Sequence, residues 1–316
     1  MELSLLGPSG VFSSADAARL GLDRHALSRL CRAGSLLRLS RGWFVVVSGK
    51  LPTGEELHRL TATALGRQFR ARALLSHHSL LLCRGLPTYR ADLATVHLTS
   101  GVDGAVELPD GGRRRRSVTA RRPGLVIHRP VAGIRLQARD PRDLRPAAIP
   151  VAHAIVQAGL LGGPESALVP ADAALRQGLT TPDRLSRAAA VFGKHTGIGP
   201  VRSALAHADG RHESPGESRT AFLLRLLGFS LEPQFVVAVE GRSYRADFRI
   251  VGTRVLVEFD GAAKYSDAGS GVLFEEKRRE DALRRAGWVL VRLVWADLAH
   301  PDRVRDRILA ALALAA

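Results

Sequence analysis

Tyr244-Arg245-Ala246-Asp247-Phe248-Arg249-Ile250 and, beyond Val251-Gly252-Thr253, Arg254-Val255-Leu256-Val257-Glu258-Phe259-Asp260-Gly261 decide how the C-terminal third is read. Both halves are rich in β-branched and aromatic residues, and a Gly-marked turn separates them, so they read as two strands. Side chains alternate faces along a strand, which puts Glu258 and Asp260 on one side. Pairing as a hairpin brings Asp247 to that side as well. Three carboxylates then converge beside the apolar Phe248, Ile250, Val255, Val257 and Phe259. Burying unpaired carboxylates is costly, so such a cluster asks for a counter-ion. A hard divalent cation with oxygen ligands, Mg²⁺ or Mn²⁺, is the natural one. The competing reading pairs the acids with Arg245, Arg249 and Arg254, because alternation places Arg249 and Arg254 on the carboxylate face.

Upstream, Ser214 suits a helix N-cap and Pro215 the first helical position. Glu217 either completes a capping box with Ser214 or serves as an outer metal or water ligand. Gln234 to Val239 reads as a first strand. After the two carboxylate strands come a helix from Glu276 to Trp288, a strand Val289 to Val294 and an amphipathic helix Arg303 to Ala316. On the long helix, Arg279 either contacts phosphate or pairs with Glu275 or Glu276, the ion pair being the plainer expectation.

Glu217, Asp247, Glu258-Phe259-Asp260-Gly261 and the helix that follows resemble the PD-(D/E)XK nuclease superfamily. The likeness is to the branch of very-short-patch-repair endonucleases and DUF559-type proteins, and it runs from near Arg211 to Ala316. It implies a restriction-endonuclease-like core of order α-β-β-β-α-β. It also implies metal-dependent hydrolysis of DNA phosphodiester bonds. By that resemblance Asp247, Glu258 and Asp260 hold Mg²⁺ or Mn²⁺ together with the Phe259 carbonyl, and Glu217 supports them. The family's motif usually has His three residues after the Gly, where this chain has Lys264. A lysine there would polarise the scissile phosphate or assist the leaving oxygen, since an ammonium donates well but is a poor general base.

The chain has 316 residues, enough for two or three domains. Its net charge is +16 and its pI is near 11.3, which favours polyanionic partners. The charge is uneven. Residues 1–50 carry an excess of +4, residues 51–150 of +9, residues 151–210 of +1 and residues 211–316 of +2. Only 4 of the 46 basic residues are lysines, so part of the arginine excess is compositional. Cys31 and Cys83 make neither a disulfide framework nor a metal-ligand spacing. Met1 to Gly10 lacks the basic and apolar regions of a signal peptide, and no long uncharged apolar run suggests a membrane span. The expected location is cytoplasmic.

Residues 11–50 read as a winged helix-turn-helix. Ser13 or Ser14 caps a first helix through Leu20, Asp23 caps a second to Ala33, and Leu36 to Ser40 with Trp43 to Val47 form the wing. On the second helix Ala26, Leu27 and Leu30 fall on one side. Arg24, His25, Ser28, Arg29 and Arg32 fall on the other, as major-groove recognition requires. A solvated charged face is the plainer alternative. The segment is similar to the N-terminal domain of AbiEi-type antitoxins, which implies operon autoregulation through DNA binding and adds a toxin as a candidate partner.

The middle, residues 51–148, reads as a basic mixed α+β domain. Leu74 to Leu82 is apolar on nearly every side and is expected to be a core helix. Its adjacent His77 and His78 point about 100° apart on a helix and cannot easily bind one ion, so no metal site is expected here. Ala94 to Thr99, Val118-Thr119 and Leu125 to His128 read as strands. Arg113, Arg114, Arg115 and Arg116 in a Gly-marked loop suit a backbone-phosphate clamp or a solvated loop. Residues 149–210 read as a helical connector, in which Lys194-His195-Thr196-Gly197 lacks the spacing of a phosphate-binding loop. The fold class is thus multidomain α/β, with segments 1–50, 51–148, 149–210 and 211–316. DNA is the expected partner, and a homodimer would suit double-strand cutting.

Overall fold

The computed structural model describes residues 10–101, 118–131, 133–134, 145–261 and 270–316. Among them lie three sheets and eleven α-helices, a mixed α/β architecture. The chain forms two compact units. One comprises the residues up to Gly162 with Arg187–Ile198, and the other comprises Gly163–Ser186 with Gly199–Ala316. No helix among the described residues is long and apolar enough to cross a membrane.

The first unit opens with β1 (Val11–Ser13), α1 (Ser14–Arg19), α2 (Arg24–Arg32), β2 (Leu36–Ser40) and β3 (Trp43–Val46). Ser13 and Asp16 form a reciprocal capping box on α1, and the Asp23 carboxylate accepts the Ala26 N–H at 2.7 Å at the start of α2. The β1-β3-β2 sheet is antiparallel. Phe12, Ala17, Leu27, Leu36 and Phe44 close a small core against it. β1 was not foreseen, because three residues are too few to show alternation.

Next come α3 (Gly54–Phe69), β4 (Ala73–Leu75), α4 (His77–Cys83), β5 (Val96–Ser100), β6 (Val118–Arg122), β7 (Leu125–His128) and α5 (Val151–Gly162). The sheet order is β4-β5-β7-β6, with β5 and β7 parallel. The expected core helix from Leu74 is corrected here. Ala73–Leu75 is a fully buried strand paired with β5, and the helix begins only at His77. A short buried strand carries apolar residues on both faces and cannot be told from a buried helix by periodicity.

Then follow α6 (Pro164–Arg176), α7 (Pro182–Val191), α8 (Ile198–Leu205), α9 (Pro215–Leu226), β8 (Leu231–Val239), β9 (Arg242–Ile250), β10 (Val255–Phe259), α10 (Ser270–Arg285), β11 (Val289–Leu293) and α11 (Pro301–Leu314). The sheet of the second unit is ordered β11-β10-β9-β8, parallel only between β10 and β11. Ala221 and Leu224 of α9 and Val304, Ile308 and Ala311 of α11 bury Phe248, Ile250, Val255 and Val257. Ala282 and Leu283 of α10 bury Val237, Val239, Ala246 and Leu256 in a separate cluster. Ala246 and Phe248 share strand parity yet belong to different clusters, so the β8–β9 hairpin turns over between them. Gln234 stands opposite Asp247 by register at that crossing, in a left-handed conformation with φ of 56°.

Candidate functional site

Arg24, His25, Ser28, Arg29 and Arg32 are all exposed, while Leu27 is buried and Ala26 and Leu30 are half-buried. α2 thus presents its cationic, hydrogen-bonding side outward. Arg113, Arg114, Arg115, Arg116 and Lys264 lie outside the described residues.

In the second unit, Ser214 caps α9 by accepting the Glu217 N–H at 3.1 Å. The Glu217 carboxylate also interacts with the Ser214 side chain. It accepts the Glu213 N–H at 2.9 Å and the Gln234 side-chain N–H at 2.9 Å. Glu217 therefore joins the start of α9 to the crossing point of the hairpin. Burial raises its pKa above the usual carboxylate value, and the nearby charges of Asp247 and Glu213 add to that.

Asp247 accepts the Phe259 N–H at 2.7 Å, so its carboxylate takes over where the β9–β10 ladder ends. Continuing that register puts Glu258 opposite Asp247. Burial raises the Glu258 pKa, the Arg279 guanidinium opposes the rise, and Asp247 reinforces it. Arg279 of α10 binds the Glu258 carboxylate, donates to the Arg245 carbonyl at 3.1 Å and lies over the Tyr244 ring. The expected partners of Arg279, Glu275 or Glu276 on its own helix, are thus corrected: the pairing crosses from helix to sheet. Glu276 instead meets Arg292 of β11 at 3.1 Å, and Glu280 meets it at 3.4 Å.

Asp260 is buried at the end of β10, where its N–H reaches the Leu293 carbonyl and its charge bears on Arg292. The sequence reading brought Asp247, Glu258 and Asp260 to one point. Asp247 stands opposite Glu258 by the β9–β10 register and their charges interact, while the charge of Asp260 bears on Arg292. The hairpin turns over at Asp247, and strict alternation does not hold through that crossing. Arg245, Arg249 and Arg254 reach Glu213 at 3.0 Å, the Thr253 carbonyl at 3.0 Å and the Ala286 carbonyl at 3.4 Å.

One close approach fixes the geometry. A Cβ at Gly216 would lie 1.9 Å from the Phe259 ring. The ring also meets Trp295 edge-on, with centroids 4.8 Å apart. Sequence reasoning missed the Arg279–Glu258 and Glu217–Gln234 links, and it missed the buried His212–Asp172 hydrogen bond of 2.6 Å. Those partners lie 21, 17 and 40 positions apart, beyond any local pattern.

Residues 3–47 match the family described as "Transcriptional regulator, AbiEi antitoxin". This defines the class of the N-terminal segment. Two Mycobacterium tuberculosis proteins, "Uncharacterized protein Rv2248" of strain ATCC 25618 / H37Rv and "Uncharacterized protein MT2308" of strain CDC 1551 / Oshkosh, are each 31% identical to this chain. The match spans 208 residues, 65% of this chain and 72% of theirs. The chain belongs to the family of these two proteins. Among solved structures, the catalytic domain of homing endonuclease I-Bth0305I is similar at a TM-score of 0.25 and 21% identity, over 30% of this chain and 89% of that one. The RV2827C protein of Mycobacterium tuberculosis is similar at a TM-score of 0.37 and 20% identity, over 67% and 75%.

Proposed function

We propose that this protein is a DNA-binding transcriptional regulator of the AbiEi antitoxin type that reads DNA with α2. The carrying observation is the match of residues 3–47 to that regulator family, together with an α2 whose Arg24, His25, Ser28, Arg29 and Arg32 are exposed. In this reading β2 and β3 act as the wing of a winged helix, and arginines 113 to 116 clamp backbone phosphate. The segments 1–50, 51–148, 149–210 and 211–316 then serve as reader, basic middle, connector and effector domain. A cytoplasmic location, a toxin partner and a homodimer on a two-fold operator belong to the same proposal.

The test is fluorescence anisotropy on DNA fragments from the protein's own upstream region, across a salt series. Arg29→Ala and Arg32→Ala should each weaken binding and reduce the salt slope by about 1 for each phosphate no longer neutralised. Unchanged affinity and slope in the double variant would sink the assignment of α2.

A second reading has one observation in its favour. Burial first, and then the Asp247 carboxylate, raises the pKa of both Glu217 and Glu258 against the opposing charge of Arg279 on Glu258, so acidic groups crowd at one buried place. That supports a DUF559-like, PD-(D/E)XK-type endonuclease domain. Two carboxylates plus substrate phosphate suffice for Mg²⁺, and Asp247 and Glu258 would hold it, with Asp260 and the Phe259 carbonyl beside them. Bound there, the ion would polarise the scissile phosphate and lower the pKa of a water. Arg279 would release Glu258 and turn to the phosphate, Glu217 and Gln234 would hold the hairpin crossing in place, and Lys264 would donate to the leaving oxygen. Cleavage of supercoiled plasmid with Mg²⁺ or Mn²⁺, abolished by Asp247→Asn while DNA binding persists, is the expected outcome. No cleavage by the intact protein across plasmid, nicked and mismatched substrates would leave the regulator reading alone.

A further inference from the structure

Five histidines of the first unit converge, from α3 (His58), α4 (His77 and His78), β5 (His97) and β7 (His128). Ring centroids lie 5.2 Å apart for His58 and His78, 4.8 Å for His78 and His97, 5.0 Å for His97 and His128, and 4.0 Å for His77 and His128. Within this stack, His77, His97 and His128 each offer a ring nitrogen, all within 4.8 Å of one another. His97 Nδ1 and His128 Nε2 are only 2.8 Å apart.

We propose that His77, His97 and His128 form a transition-metal site that takes zinc, with the fourth position left to a water or an anion. Three imidazoles around one open position is an established zinc donor set. Tetrahedral Zn–N bonds of about 2.0–2.1 Å place ligand nitrogens roughly 3.3 Å apart, so closing the trio needs only small ring movements. An all-imidazole set suits zinc and its late first-row neighbours, not Mg²⁺ or Ca²⁺.

Three further features fit a ligand role. The outer nitrogen of His77 is held, its Nδ1 lying 3.0 Å from Ser76 Oγ, and the His97 backbone N–H donates to Ser79 Oγ at 2.9 Å, anchoring the strand that carries the ring. A contact of the first kind fixes ring orientation around a metal. His77 has a φ of 49°, a left-handed conformation unusual for a residue with a side chain. Burial also lowers the pKa of all three, His97 to about 2 and His128 to about 4, so their lone pairs are available at neutral pH. His78 is not one of the three; its Nε2 lies 3.0 Å from the Asp92 carbonyl. The sequence reading expected no metal here because it weighed only the adjacent pair His77 and His78 on one helix. His77 finds its partners on strands instead.

The site is independent of the carboxylates of the second unit. The experiment uses the full chain without a polyhistidine tag. Zinc is titrated by calorimetry, retained metal is measured by mass spectrometry, and Co²⁺ serves as a coloured probe. The expected result is one equivalent of zinc and an intense visible Co²⁺ band typical of four-coordinate nitrogen-rich sites. Both should be lost in His97→Ala and His128→Ala, and both retained in His78→Gln and in Asp247→Asn/Glu258→Gln. Ser76→Ala should weaken zinc binding by about tenfold. Should the histidine variants fail to fold, the Co²⁺ spectrum of the unaltered protein decides. No bound zinc, a weak six-coordinate Co²⁺ spectrum, or zinc lost only in the carboxylate variant would overturn the proposal.

Discussion

In the first unit, buried imidazoles stack ring on ring and burial drives them towards the neutral form. In the second, Glu217 and Glu258 are also pushed towards neutrality, but each keeps named partners: an N–H and an amide for Glu217, and Arg279 for Glu258. The imidazole cluster leaves lone pairs, whereas the carboxylate cluster leaves negative charge that a guanidinium already shares. The first arrangement suits a soft-to-borderline metal and the second a hard cation or a phosphate-bound ion. Crowded titratable residues thus prepare different chemistry depending on which form burial favours.

The largest expected effect comes from breaking the partnered side. Arg279→Ala leaves Glu258 buried without its guanidinium and should cost about 1–3 kcal/mol at pH 7 by urea denaturation. The loss should shrink at pH 5, where Glu258 takes up a proton more readily; an equal loss at both pH values would refute this account. On the imidazole side, Ser79→Ala removes the hydroxyl that links His58 to the His97 backbone and should cost about 1 kcal/mol.

A pH series sharpens the contrast, because the signs are opposite. The folded-state pKa of Glu217 and Glu258 is raised, so the folded form binds more protons than the unfolded chain above the ordinary glutamate value, and local stability falls as pH rises through that window. The folded-state pKa of His78 and His128 is lowered from 6.5 to about 4, so their contribution is present above 6.5 and is lost as pH falls towards 4. Native-state hydrogen exchange, metal-free, should show β5 and β7 losing protection from pH 7 to pH 5 while β10 does not follow. Parallel loss in both segments would break the comparison. The smallest effect is a titration shift. Carbon-detected NMR of Asp247→Asn should show Glu217 and Glu258 both titrating lower than in the unaltered protein.

Where local chemistry sets an element, the sequence was readable. Asp23 before α2, Ser214-Pro215 before α9, and the strand Leu125–His128 all lie where the residues place them. The strand Ala73–Leu75 was not readable, since burial on both faces erases its period. For the sites, sequence reading found the outward face of α2 and the strands that carry Asp247 and Glu258. It assigned Arg279 to its own helix because i,i+3 and i,i+4 neighbours are the only pairs a sequence displays. The sheet offered Glu258 instead, and the histidine trio likewise depends on β5 and β7 lying parallel.

The ring of Phe259 occupies the space that a side chain at position 216 would need. Those two positions can therefore change only together. Gly216→Ala alone should not be tolerated, whereas pairing it with a smaller residue at position 259 should restore a folded protein. In a library randomised at both sites, the survivors would trade volume between them. Substitution at one end of α9 would thus report on the far end of β10, two places the chain itself separates by 43 residues.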